Sequence, residues 1–143
     1  MKTLDQWLSE YGESHQNTTN RLIHKICVPA ITWSLLALLW KIPNFGMPEL
    51  ANFASLFVLI CFAFYLTLRS FKVMGIFFIL LGPIFLSLYL LRDYPYLWQT
   101  ALTVFVIAWI GQFIGHKIEG KKPSFFKDLQ FLLIGPLWIF IGK

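Results

Sequence analysis

The chain has 143 residues, of which 57% are hydrophobic and only 13% charged, against the roughly 25% charged and 45–50% apolar usage of soluble domains. That composition excludes an ordinary soluble domain and points to an integral membrane protein, and the length leaves room for a single domain over residues 1–143. The net charge of +5 is what membrane insertion and anionic headgroups call for, so it gives no ground for nucleic-acid binding.

In chain order, Thr3 followed by Gln6 reads as a capping box, and Leu4, Trp7, Leu8 and Tyr11 fall at i, i+3, i+4 and i+7. This pattern predicts a short amphipathic helix lying at the membrane surface. The stretch Gln16 to Asn20, rich in Asn and Thr, predicts a turn and a new N-cap. Set against the roughly 20 residues needed to cross a bilayer, the apolar runs then give four spans and a doubtful fifth. They are Leu22 to Trp40 with Pro29 inside, Leu50 to Leu68, Phe71 to Leu91 with a Gly82-Pro83 kink, and Leu97 to Ile118. The last run, Leu129 to Ile141, is short and interrupted by Gly135-Pro136, which suits a re-entrant or interfacial segment. The predicted fold is therefore all-α: a multi-pass transmembrane helical bundle of four to five spans with an N-terminal amphipathic surface helix.

Met1 to Thr19 is mostly polar and has no small-residue cleavage site, so no removable signal peptide is expected and the first span would serve as the signal. Trp33, Trp40, Trp98, Trp109 and Trp138 read as interfacial anchors and lipid-facing bulk. Cys27 and Cys61 lie in different spans without paired spacing, which makes them packing residues. There is no internal repeat, Gly-rich phosphate loop, GxSxG elbow or HExxH helix.

Orientation follows from the basic residues, which favour the cytoplasmic side. With the N-terminus inside, that side receives Lys2, Arg21, Lys25, Arg69, Lys72, Lys117, Lys121, Lys122 and Lys127, and the other side keeps Lys41, Arg92 and Lys143. Nine against three places the N-terminus in the cytoplasm, at the inner membrane of a bacterium or the endoplasmic reticulum of a eukaryote. The start of the first span and the end of the fourth then share the cytoplasmic face.

That placement matters because the chain has three histidines, His15, His24 and His116, each beside one of those two ends. Asn17, Asn20 and His24 share one helical face. His15 lies nine residues before His24, about half a turn out of phase at roughly 100° per residue, so the two converge only if the helix breaks between them. In the second polar island Gln112, His116 and Glu119 stack at i, i+4 and i+7. Gly111 and Gly115 form a small-residue seam there that lets another helix approach. A histidine near a headgroup is ordinarily a boundary residue. Here all three are set among Asn, Gln and Glu, and polar groups at membrane spans tend to face a functional interior. Imidazoles with a carboxylate suit non-haem iron with open positions for oxygen and substrate.

The pattern Tyr11-x3-His15-x4-Asn20-x3-His24-x4-Pro29, with Gln112-Phe-x-Gly115-His116 followed by Glu119 and Pro123, closely resembles the membrane family of the eukaryotic endoplasmic-reticulum 2-hydroxy fatty acid dioxygenase of phytosphingosine breakdown. The resemblance covers nearly the whole chain. It implies an Fe(II)-dependent enzyme that uses O2 to remove one carbon from a 2-hydroxy fatty acid, an α-oxidation, with His15, His24 and His116 as the essential metal-binding and catalytic set. Many members place an acidic residue four positions after the last histidine, whereas Glu119 stands at three. Glu119 is thus a candidate either for a ligand or for support of one, as are Asn20, Gln112 and Tyr11.

A 2-hydroxy carboxylate can chelate a metal through both its carboxylate and its hydroxyl, so the substrate would supply its own electrons and 2-oxoglutarate would not be needed. Its tail would lie among membrane lipids and apolar helices. Arg21, Lys25 and Lys117 are candidates to steer the carboxylate, although each also fits a positive-inside anchor. The rival reading is a small transporter or proton relay, in which the histidines would titrate along a path; the second and third spans offer almost no polar residues for one.

Overall fold

The computed structural model describes residues 2–142; Met1 and Lys143, the latter counted above among the three exterior cations, lie outside the described residues. Among the described residues there are six α-helices and no strand: α1 (Leu4–Gly12), α2 (Thr18–Trp40), α3 (Phe53–Thr67), α4 (Phe71–Leu91), α5 (Leu97–Glu119) and α6 (Phe131–Ile141), with a 3₁₀ turn at Ser124–Phe126. They sort into two compact units. One comprises Met1–Ile31 with Val106–Lys143, the other Thr32–Phe105.

In the first unit, α1 starts at the capping box read from the sequence: Thr3 Oγ1 accepts from the Gln6 N–H and the Gln6 side chain accepts from the Thr3 N–H. The apolar face of α1 is buried against α6. Trp7 meets Phe131 edge-on with centroids 5.0 Å apart, and Tyr11 lies 5.5 Å from Trp138. α2 and α5 approach closely along the glycine seam. A Cβ at Gly111 would fall 2.7 Å from Cys27 Sγ, and one at Gly115 would strike Asn20 Oδ1. With glycine at both positions the helices come this near without displacing either side chain.

In the second unit α3 and α4 pack through Phe62, Tyr65 and Phe77. Trp33 Nε1 donates to Ser87 Oγ, and the Trp40 ring lies against Phe85. Cys61 is buried in α3 and, like Cys27, is a free thiol.

Among the described residues three helices, α2, α4 and α5, are long and apolar enough to cross a membrane. The second expected span is shorter than its apolar run, because Pro48 to Ala51 forms a turn and Asn52 caps the helix through its side chain onto the Ser55 N–H. Leu50 and Ala51 are therefore outside α3, which has 15 residues. α6 has 11 residues and runs through Gly135-Pro136 without interruption; one missing amide costs one backbone hydrogen bond, which the buried Phe131, Ile134, Leu137 and Trp138 offset. Trp138 and Trp40 are corrections to the aromatic assignment: both are buried, because α6 packs on α1 and Trp40 Nε1 donates to Glu49.

The seam gives a direct test. Gly115→Ala should destabilise the protein by about 1–3 kcal/mol, read as a lower thermal midpoint in detergent. Gly75→Ala on α4, where an added Cβ meets nothing within 4 Å, should be neutral or slightly stabilising.

Candidate metal centre

The break that lets His15 and His24 converge lies at residues 13–17, between α1 and α2. The turn is closed by the His15 N–H onto the Gly12 carbonyl at 3.0 Å and by Gln16 Nε2 onto the same carbonyl at 2.6 Å. Asn17 then caps α2, its Oδ1 accepting from the N–H groups of Thr19 and Asn20 at 2.9 and 3.2 Å. Glu119, at the end of α5, completes the junction. Its Oε1 accepts from the Gln16 N–H at 2.9 Å, and its Oε2 accepts from the Asn17 N–H at 2.7 Å and from Asn20 Nδ2 at 3.1 Å. A carboxylate here meets both orphan amide donors and the positive end of the helix dipole.

His15, His24 and His116 come together in consequence, with ring centroids 4.3, 4.9 and 4.9 Å apart pairwise and planes close to perpendicular. All three are buried, and one ring nitrogen of each lies within 4.8 Å of the others. His15 Nδ1 sits 2.6 Å from the Tyr11 carbonyl and His24 Nδ1 sits 3.1 Å from the Asn20 carbonyl. A carbonyl can only accept, so in both rings Nδ1 carries the proton and Nε2 keeps its lone pair. Metal-binding histidines are ordinarily held in this way.

Two ring nitrogens, His15 Nε2 and His116 Nδ1, are buried without a hydrogen-bond partner among the described residues. Leaving such atoms unpaired costs about 1–3 kcal/mol each, and a transition-metal ion would satisfy both. The residues therefore fit a metal.

Burial is the main reason that His15 is pushed down from 6.5 to about 4; its bond to the Tyr11 carbonyl and the charge of Glu119 act the other way, while His116 and Arg21 add to the depression. It is neutral, and available as a ligand, at physiological pH. Tyr11 stacks on His15 with centroids 4.2 Å apart and planes at 6°, and burial raises its phenol far above the ordinary value, so it stays protonated.

The other expected residues divide. Asn20 is fully buried and ties the junction together, its Nδ2 donating also to the Ser14 carbonyl. Gln112 is buried one turn before His116. The Oδ1 of Asn20 and the Oε1 of Gln112 have no partner among the described residues. Both Glu119 oxygens are engaged at the junction, and the group that could hold a metal ion consists of the three imidazoles. Arg21 is half-buried, its guanidinium 5.3 Å from the Trp138 ring; Lys25 and Lys117 are exposed.

Three residues of the site escaped sequence reasoning. Trp138 lies 5.0 Å from His15, and Ser14 Oγ is 2.5 Å from Ser124 Oγ and 3.3 Å from His15 Nδ1. Gly135 was the available signal for α6: a Cβ there would lie 3.0 Å from Tyr11 Oη, so it marks a close approach rather than a helix end.

A helical chain with apolar helices and a buried triad of imidazoles is a candidate membrane metalloprotein. The chain belongs to the Mpo1-like family, described as 2-hydroxy-palmitic acid dioxygenase Mpo1-like, whose family model matches residues 1–142. It is similar to the 2-hydroxy-palmitic acid dioxygenase MPO1 of Saccharomyces cerevisiae, with 28% identity over 134 residues covering 92% of this chain and 74% of the yeast protein. No solved structure matches it.

The burial of His15 has a measurable consequence without metal. An unfolded imidazole takes up its proton near 6.5 and the buried one near 4, so acid favours the unfolded chain between those values. Stability should be full above about pH 6.5 and fall by up to about 3 kcal/mol on going to pH 4. Thermal midpoints of metal-free protein in detergent check this, and His15→Phe should flatten that part of the profile.

Proposed function

We propose that this protein is a membrane-embedded dioxygenase that shortens 2-hydroxy fatty acids by one carbon, with His15, His24 and His116 holding Fe(II). The observation that carries the reading is the convergence of three buried imidazoles in a chain of the Mpo1-like family. The name of the yeast relative attaches dioxygenase activity to 2-hydroxy-palmitic acid, and apolar helices suit an acyl substrate that partitions into lipid. Imidazole donors accept zinc, copper and nickel as well as iron. Oxidation by O2 favours a redox-active ion, which zinc is not.

When bound, Fe(II) supplies the one-electron chemistry that lets O2 react with a closed-shell acid. Oxidising a 2-hydroxy acid to the acid one carbon shorter and CO2 releases four electrons, as many as one O2 takes up on reduction to water. No 2-oxoglutarate is then required. The chain's own residues prepare the site: the Tyr11 and Asn20 carbonyls fix the protons of His15 and His24 on Nδ1, and Glu119 positions the histidine-bearing loop against the end of α5. Arg21, half-buried beside Trp138, is the cation we assign to the substrate carboxylate, while the exposed Lys25 and Lys117 are assigned to anchoring.

The nine-to-three distribution of basic residues supports a cytoplasmic N-terminus and cytoplasmic histidines. His24 is near the start of α2 and His116 near the end of α5, yet their rings are 4.9 Å apart. Both helix ends then belong to one membrane face, and the chain between them crosses an even number of times. α2, α4 and α5 make three crossings, so α3 makes the fourth; α1 lies at the surface and α6 is interfacial or re-entrant. A transporter would need polar residues along α3 and α4, which are almost wholly apolar.

The three histidines should act as a set. His24→Ala or His116→Ala should each lower metal retention by roughly tenfold or more while the protein stays in the membrane; full metal content in either variant contradicts the site. With anaerobically loaded Fe(II) protein in detergent, a long-chain 2-hydroxy acid should consume O2 and give an acid one carbon shorter by mass spectrometry. The parent acid lacking the hydroxyl should not react, and 2-oxoglutarate should have no effect. An iron-loaded protein that leaves the 2-hydroxy acid intact would favour the transporter reading.

A further inference from the structure

α3 has 15 residues, about 22 Å of helix, whereas the hydrocarbon core is about 30 Å thick. At its C-terminal end Arg69 and Lys72 are exposed, and such charges hold that end at the cytoplasmic headgroups. The shortfall therefore falls at its N-terminal end, in the connection formed by residues 41–52.

That connection is apolar on its outside. Ile42, Phe45, Met47 and Leu50 are exposed, Phe45 by 89%. Its two charged side chains are engaged within the protein, Lys41 Nζ donating to the Arg92 carbonyl at 2.7 Å and Glu49 Oε1 accepting from Trp40 Nε1 at 2.9 Å. Phe45 adopts φ 56° and Gly46 φ 82°, so the connection reverses direction in a tight left-handed turn that carries the Phe45 side chain outward. The turn and the start of α3 border an open groove of about 390 Å³ lined by Phe45, Met47, Leu50 and Leu56 with Asn52 and Ser55. Ser55 Oγ is buried there without a partner among the described residues. Apolar walls with an amide and a hydroxyl match the glycerol and upper acyl region of a phospholipid.

We propose that residues 41–52 are seated in the interfacial layer of the non-cytoplasmic leaflet and complete the crossing begun by α3. The phospholipid interface is the partner of this surface. The proposal rests on the four-crossing reading above. A further consequence is that Phe45 and Met47 lie at the depth of the upper acyl chains, where an aqueous loop would place them among solvent.

The test uses full-length protein in phosphatidylcholine–phosphatidylglycerol vesicles, with Cys27→Ala and Cys61→Ala as background and a nitroxide at Phe45→Cys, Ile79→Cys or Lys122→Cys. Collision with O2 reports lipid and collision with a neutral nickel chelate reports water. At Phe45 the O2-to-nickel ratio should exceed that at Lys122 several-fold and approach that at Ile79, which is exposed on α4. A water-like ratio at Phe45 with a lipid-like ratio at Ile79 overturns the loop assignment alone, whereas a water-like ratio at Ile79 overturns the membrane reading beneath it. Photolabelling of the unsubstituted protein by a diazirine phospholipid gives the same decision, with label expected in residues 42–51 and its absence there contradicting the proposal.

Discussion

Three imidazole rings share one buried space, and little else in the first unit can be understood without that constraint. Two imidazolium charges at the 4.3 Å separating His15 and His24 would repel by about 4 kcal/mol even at an effective dielectric constant of 20, so the cluster holds together with its rings uncharged. Each ring proton then needs an acceptor, and the Tyr11 and Asn20 carbonyls supply two. One nitrogen of each ring lies within 4.8 Å of the others, an arrangement that could hold a metal ion.

Holding that cluster requires two neighbouring chain segments and a third far from them in sequence to meet at fixed angles. The loop after α1 brings His15, the first turns of α2 bring His24, and the last turn of α5 brings His116. Glu119 joins the first two to the third by accepting from Gln16, Asn17 and Asn20, and the Gly111–Gly115 seam lets α5 come close enough for this to happen. Tyr11 and Trp138 close over His15 from α1 and α6. α1 and α6 thus act as walls of the site, and their packing on each other follows from the same need to exclude water.

Much of this was legible in the chain. The capping box at Thr3, the break ahead of α2, the helical stripe of Gln112, His116 and Glu119, and the glycine seam are local patterns whose spacing decides their structure. The burial of Trp138 was not legible, because tryptophan in an apolar run looks alike whether it faces lipid or protein, and its place depends on α6 docking on α1. The length of α3 was likewise hidden: hydropathy continues through Leu50, and only the Pro48 turn and the Asn52 cap end the helix sooner. The role of Glu119 was open because a carboxylate one turn past a histidine can reach either a metal or a neighbouring helix terminus. In the structure its oxygens accept from the Gln16 and Asn17 N–H groups at the start of α2, a contact that depends on the break at residues 13–17.

Iron-edge X-ray absorption of the anaerobically loaded protein tests the central claim most directly, since it counts the imidazoles at the ion. Outer-shell scattering from three rings is the expected result, with no more than a minor change in Glu119→Gln. Scattering from one imidazole or none, or a protein that binds no iron, would contradict the account.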